Sequence, residues 1–195
     1  NQCVPGMGCV PVDVTETPQL LANGALDSAG DAWLEASSNG YPLIVVEDAS
    51  VAAHTPTRYA WLGGAPYELS ELTQVVSVPE GTQSLTLTFY YYLSGFVYPY
   101  YDYNVMGAQL RATDGVTVLH EFQRLGNQDF NSDWVEFTGT VDATAWAGTD
   151  VQVYFWAAIG ADYYWYYGYP YYTDYNVGNS NYRIDSTSLT ATVCQ

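Results

Sequence analysis

The chain is 195 residues long and 48% apolar, and it carries 21 Asp and Glu against four Arg (Arg58, Arg111, Arg124 and Arg183), with no Lys and a net charge of −17. That length suits one domain with a filled core, and that apolar content excludes a disordered chain. The longest apolar runs are too short to span a bilayer as helices, and so acidic a surface repels nucleic acid and anionic membranes while favouring divalent cations or a salt-rich extracellular setting.

Residues 1–22 hold Pro5, Pro11 and Pro18, a spacing that prevents a helix and permits an extended arm or edge strand able to pair in cis or in trans. Asn1-Gln2-Cys3 lacks a Met, a basic flank and an apolar stretch, which reads as a mature secreted form whose signal peptide is gone. Residues 23–195 read as a single domain. Within it, period-two or wholly apolar β-rich runs recur over 41–47, 58–62, 72–78, 85–93, 105–112, 116–122, 134–141, 151–158 and 182–193, broken by Gly63-Gly64, Pro79-Glu80-Gly81 and Asp114-Gly115. In the clearest run, Leu85, Leu87, Phe89 and Tyr91 face one way while Thr86, Thr88, Tyr90 and Tyr92 face the other. Val151, Val153 and Phe155 repeat this against Gln152, Tyr154 and Trp156, so two central strands put aromatic rings on the side away from the core. The only helical signal is one turn over 142–146, with Asp142 as its cap. Regularly spaced short strands with almost no helix predict an all-β jelly-roll sandwich of two antiparallel sheets with long Tyr-rich loops.

Segments 90–103 and 163–175 contain 7 and 8 of the 20 tyrosines, and Tyr98-Pro99-Tyr100-Tyr101-Asp102-Tyr103-Asn104-Val105 matches residues 169–177 apart from one inserted Thr. Two copies do not make a solenoid, so these read as two similar loops, each between strands, able to lie side by side at one end of the sandwich. Cys3, Cys9 and Cys194 sit at the chain's two ends, which resembles terminal stapling in an oxidising compartment rather than metal-ligand spacing. A Cys9–Cys194 bridge is favoured because first and last strands are often neighbours, with a local Cys3–Cys9 loop nearly as plausible.

Several stretches together resemble bacterial jelly-roll modules of the carbohydrate-binding and MAM-like kind attached to secreted hydrolases and surface proteins. They are Asn23-Gly24-Ala25-Leu26-Asp27 ahead of Trp33, Ala60-Trp61-Leu62-Gly63-Gly64, Leu72 to Pro79, Trp134 to Phe137, the 142–148 turn before Val151 to Phe155, and Tyr182-Arg183-Ile184-Asp185. The resemblance covers most of residues 19–193. It implies a structural Ca2+ where the first strand meets the last, held by Asp27 and Asp185, since a hard cation between two converging carboxylates relieves their repulsion. The sequence departs from the pattern in Leu26, where an aromatic residue is usual, and in Ser186, where a second acid is usual.

Catalytic signals are poor. His54 and His120 are isolated, and there is no His-Glu-x-x-His, no Gly-x-Ser-x-Gly and no phosphate loop, so the chain reads as a non-catalytic protein. The Tyr segments admit three readings. Stacked on sugars, Tyr98, Tyr100, Tyr101, Tyr164, Trp165, Tyr167, Tyr171 and Tyr172 would supply ring faces, with Asp102 and Asp174 meeting sugar hydroxyls. At an interface between copies of the chain, the same rings would bury large area at low entropic cost. As a cap, they would cover one another. Together with the proline-bearing arm and the odd Cys, their number favours a subunit of an extracellular filament or surface layer over a glycan-binding module.

Overall fold

A computed structural model describes residues 19–95, 104–126, 129–160, 164–166, 169–171 and 180–194. The first five strands are β1 (Leu34–Ser37), β2 (Ile44–Val46), β3 (Arg58–Gly63), β4 (Leu69–Ser77) and β5 (Thr82–Ser94). Next come β6 (Asn104–Ala112), β7 (Val118–Gly126), β8 (Val135–Asp142) and β9 (Asp150–Ile159), then the short pair β10 (Tyr164–Tyr166) and β11 (Tyr169–Tyr171), and finally β12 (Asn181–Val193). They form two five-stranded antiparallel sheets, ordered β1-β4-β9-β6-β7 and β2-β3-β12-β5-β8, plus the two-stranded β10-β11 hairpin. This is the jelly-roll sandwich expected from the sequence.

The core lies between the sheets, where the period-two residues put it. Leu85, Leu87, Phe89 and Leu93 of β5, Tyr182, Ile184, Leu189 and Ala191 of β12, and Val151, Val153 and Phe155 of β9 are all buried. Phe89 stands at its centre, 5.0 Å from the Phe137 ring and 5.2 Å edge-on from that of Phe155, which are favoured aromatic geometries. The inward period of β12 is interrupted at Ser186, whose φ of 50° accompanies a register shift against β5, a bulge that re-aims the side chains on either side of it.

Several boundaries differ from the sequence reading. Strand β2 is shorter than the 41–47 run, because Pro42 has no N–H to give and Tyr41 N–H is turned onto Ser37 Oγ at 3.0 Å. Strand β7 starts at Val118 rather than Val116, because the Asp114 carboxylate takes the N–H groups of Val116 and Thr117, each at 2.8 Å, and holds them in the turn. The helical turn is a 3-10 turn, Thr144–Trp146, and Asp142 accepts the Thr144 N–H at 3.0 Å. Of the expected 1–22 arm, only 19–22 are described. There Leu20 N–H donates to Leu189 O at 2.8 Å, and the Gln74 amide both donates to and accepts from Ala22. Among the described residues no helix is long and apolar enough to cross a membrane.

Candidate functional site on the outer sheet face

The strand register of the β1-β4-β9-β6-β7 sheet aligns its outward residues in rows. One row runs Ala36, Glu71, Trp156, Gly107, Arg124; the next runs Leu34, Thr73, Tyr154, Gln109, Glu121; a third runs Val75, Gln152, Arg111, Val118. A sheet face turned to water normally carries short polar and charged side chains. Here the middle of the face carries two large rings, each beside an Arg.

Trp156 is half-buried, and its indole occupies the space over Gly107. A Cβ there would fall 2.3 Å from Nε1 and 2.6 Å from Cε2, so only glycine lets the ring settle against the neighbouring strand. The indole N–H is buried with no hydrogen-bond partner among the described residues, as is the Gln152 side-chain oxygen, and such groups are uncommon outside functional surfaces. The Arg124 guanidinium stands 5.6 Å from the Trp156 ring, within cation–π range.

Below it, Tyr154 is 7% exposed and its hydroxyl donates to Glu71. Burial, followed by the hydrogen bond and charge of Glu71, pushes the phenol up to about 12, so it remains a neutral donor at any physiological pH. Arg111 lies 3.4 Å over the Tyr154 ring. It donates from Nε to Gln109 Oε1 at 2.9 Å and from Nη1 to Gly115 O at 2.8 Å, while Gln109 donates to Glu121 at 2.8 Å. The face is thus a preorganised strip of rings, amides, guanidinium groups and carboxylates. The sequence reading placed Tyr154 and Trp156 away from the core but assigned them no role. Gly107 opposite Trp156 is the missing signal, and it appears only once the strands are paired.

The opposite sheet has its own outward cluster. Arg183, 4% exposed, lies 5.1–5.7 Å from the Tyr59, Trp61 and Tyr92 rings and donates to Ser94 Oγ at 2.8 Å. Beside it, the 47–57 loop covers Asp185, which is fully buried. Its carboxylate accepts from Thr55 N–H at 2.8 Å, Thr55 Oγ1 at 2.9 Å and Ser186 N–H at 2.6 Å. Burial raises the Asp185 carboxyl, and those hydrogen bonds oppose the rise. His54 stacks on Tyr90 at 3.6 Å and shares a 2.8 Å hydrogen bond with Ser186.

Asp27 is exposed, in the loop whose Gly24 carbonyl accepts from Thr187 N–H at 2.7 Å. The first motif therefore does meet the last strand, through Gly24 and Thr187. Among the described residues, no group of three or more His, Cys, Asp or Glu side chains is placed so that it could hold a metal ion.

Of the other residues singled out in the sequence, Tyr98, Tyr100, Tyr101, Asp102, Tyr167, Tyr172, Asp174 and Cys9 lie outside the described residues. Cys194 is disulfide-bonded. Tyr164, Trp165 and Tyr171 lie on the β10-β11 hairpin, where Tyr164 pairs with Tyr171 and Trp165 with Pro170. Part of the second Tyr segment thus pairs as strands, and the rest of it lies outside the described residues. The ends of both Tyr segments meet at one end of the sandwich: Ser94 pairs with Asn181, Asn104 pairs with Ile159, and Asn104 Nδ2 donates to Ser180 Oγ at 3.1 Å.

No protein-family model matches the chain, and no curated protein matches it in sequence. Solved structures do match in fold. TmCBM61 in complex with β-1,4-galactotriose overlays 89% of this chain and 98% of its own at 11% identity, with a TM-score of 0.52. A CBM4 overlays 88% and 99% at 15% identity, and a family 16 carbohydrate-binding module 87% and 98% at 18% identity, both with a TM-score of 0.51. The chain has the jelly-roll fold of carbohydrate-binding modules. It also overlays the enzymatically active domain of bacteriophage CBA120 tailspike protein 4 at 12% identity and a TM-score of 0.51, where 89% of this chain spans only 21% of that one.

Proposed function

We propose that the protein is an extracellular, non-catalytic carbohydrate-binding module that takes a glycan on the outer face of the β1-β4-β9-β6-β7 sheet. The observation that carries this reading is the Trp156 indole laid over Gly107 and flanked by Arg124, Glu71 and Tyr154. A pyranose presents an apolar C–H face that stacks on a flat ring, and hydroxyls at its rim that need directional partners. Trp156 supplies the first; Arg111, Arg124, Gln109, Glu121 and Glu71 supply the second. Because most of these polar groups already hold one another in place, little side-chain entropy is lost on binding. The whole-chain likeness to galactotriose-bound TmCBM61 supports the same reading. The Tyr segments, rooted at one end of the sandwich, would extend the contact. The filament reading draws no comparable support.

Trp156→Ala is expected to abolish retention on whichever glycan the wild type holds in an array, weakening affinity by about tenfold or more, with an unchanged far-ultraviolet circular dichroism spectrum. Equal retention of both proteins would remove the site from this face.

A calcium held by Asp27 and Asp185 remains a separate proposal. Such an ion would compete with the hydrogen bonds that Thr55 and Ser186 give Asp185. Added EGTA lowering the melting temperature of the wild type, but not of Asp185→Asn, would establish the ion; identical curves for the wild type with and without EGTA would dismiss it.

A further inference from the structure

We propose that a cavity beside the edge of the other sheet is a binding site for an alkylammonium group, the chemistry of a lysine side chain or a free primary amine. The cavity is about 350 Å³, lined by Tyr41, Pro42, Leu43, Val45 and Trp61 together with the Gly63–Ala65 turn and Glu68, a size within the range of small-ligand sites. Its wall is fixed from behind, because Glu35 accepts the N–H groups of Leu43 and Ile44 at 2.6 and 2.9 Å.

Glu68 decides the ligand. It is 1% exposed, and its carboxylate accepts from Ser38 Oγ at 3.3 Å, Asn39 N–H at 3.3 Å and Ser70 Oγ at 3.0 Å. All three donors are neutral. A carboxylate taken out of water loses hydration that neutral donors replace only in part, and a cation of matching size restores it. The remaining wall suits the rest of such a ligand: Leu43, Val45 and Pro42 for a methylene stem, and the Trp61 and Tyr41 rings for a positive charge. Trp61 already lies 5.1 Å from the Arg183 guanidinium, so this ring takes part in cation–π contact within the fold.

The chain contains no Lys, and Arg111 and Arg124 are held over rings of the other sheet, while Arg183 stands on the Trp61 ring itself. With a net charge of −17, the surface draws cations towards the opening. The site lies on the opposite sheet from Trp156 and does not rest on the glycan reading.

The test is isothermal titration of the full chain with n-butylamine and with Nα-acetyl-lysine methylamide, the uncharged Nα-acetyl-norleucine methylamide, whose side chain is one heavy atom shorter, serving as control. Saturable one-to-one binding of at least one amine is expected, with none of the norleucine compound. Glu68→Gln should weaken binding by about tenfold or more. Since Glu68→Gln disturbs a buried network, Ala65→Phe provides a second variant that fills the cavity and leaves the carboxylate in place; it should abolish binding. No saturable binding of either amine would overturn the proposal, as would equal binding to the wild type and Ala65→Phe, which marks general attraction to an acidic surface.

Discussion

Phe89→Ala is expected to lower the free energy of unfolding by about 3–5 kcal/mol, a large share of the roughly 5–15 kcal/mol that holds a typical domain together. The residue is fully buried, it pairs in register with Phe137 of β8, and its ring packs against Phe137, Phe155 and Tyr91. It also faces the stretch where β12 shifts register between Asp185 and Ser188. Backbone pairing is irregular there, so side-chain packing carries more of the sheet's cohesion. Urea denaturation should show the midpoint falling without a change in slope, and Phe89→Leu should restore most of the loss. A deficit below about 1 kcal/mol would mean that the surrounding rings close over the gap.

Gly107→Ala should have the opposite profile, with a small effect on folding and a large one on ligand. The added methyl carbon would fall 2.3 Å from the Trp156 Nε1 and 2.6 Å from Cε2, distances no real contact tolerates, so the indole must leave its seat. Strand β6 keeps its pairing with β7 and β9, because alanine suits a strand backbone as well as glycine does. Glycan affinity is expected to fall by about tenfold or more, close to the loss in Trp156→Ala, and combining the two changes should add little further. Full additivity would show that Gly107 acts through something other than the ring.

The fold was legible because strand periodicity is a local property. Alternation through Leu85, Leu87 and Phe89, and through Val151, Val153 and Phe155, locates the inward side of β5 and β9 without any knowledge of their partners. Strand ends were less legible, since they depend on which side chain captures an N–H, as Asp114 does before β7. β1 carries only four residues, and its burial depends on neighbours far away in the chain. The candidate site was half legible. The outward rings of Tyr154 and Trp156 show in the sequence, but their partners Arg111, Gly107 and Glu71 come from two other strands, and only register joins them. The tyrosine segments drew attention because compositional bias is visible along a chain, whereas a cross-strand row is not.

The pairing of Ser94 with Asn181 and of Asn104 with Ile159 bears on how this molecule could change over evolutionary time. Each Tyr segment leaves one sheet and returns on the other, so its ends are fixed by two packed sheets about 10 Å apart whatever the intervening sequence. Once the ends are fixed, doubling the length of such an insertion costs only about 0.6 kcal/mol in closure entropy. The sandwich therefore serves as a socket in which these two connections can be duplicated, lengthened or rewritten residue by residue while the core stays as it is.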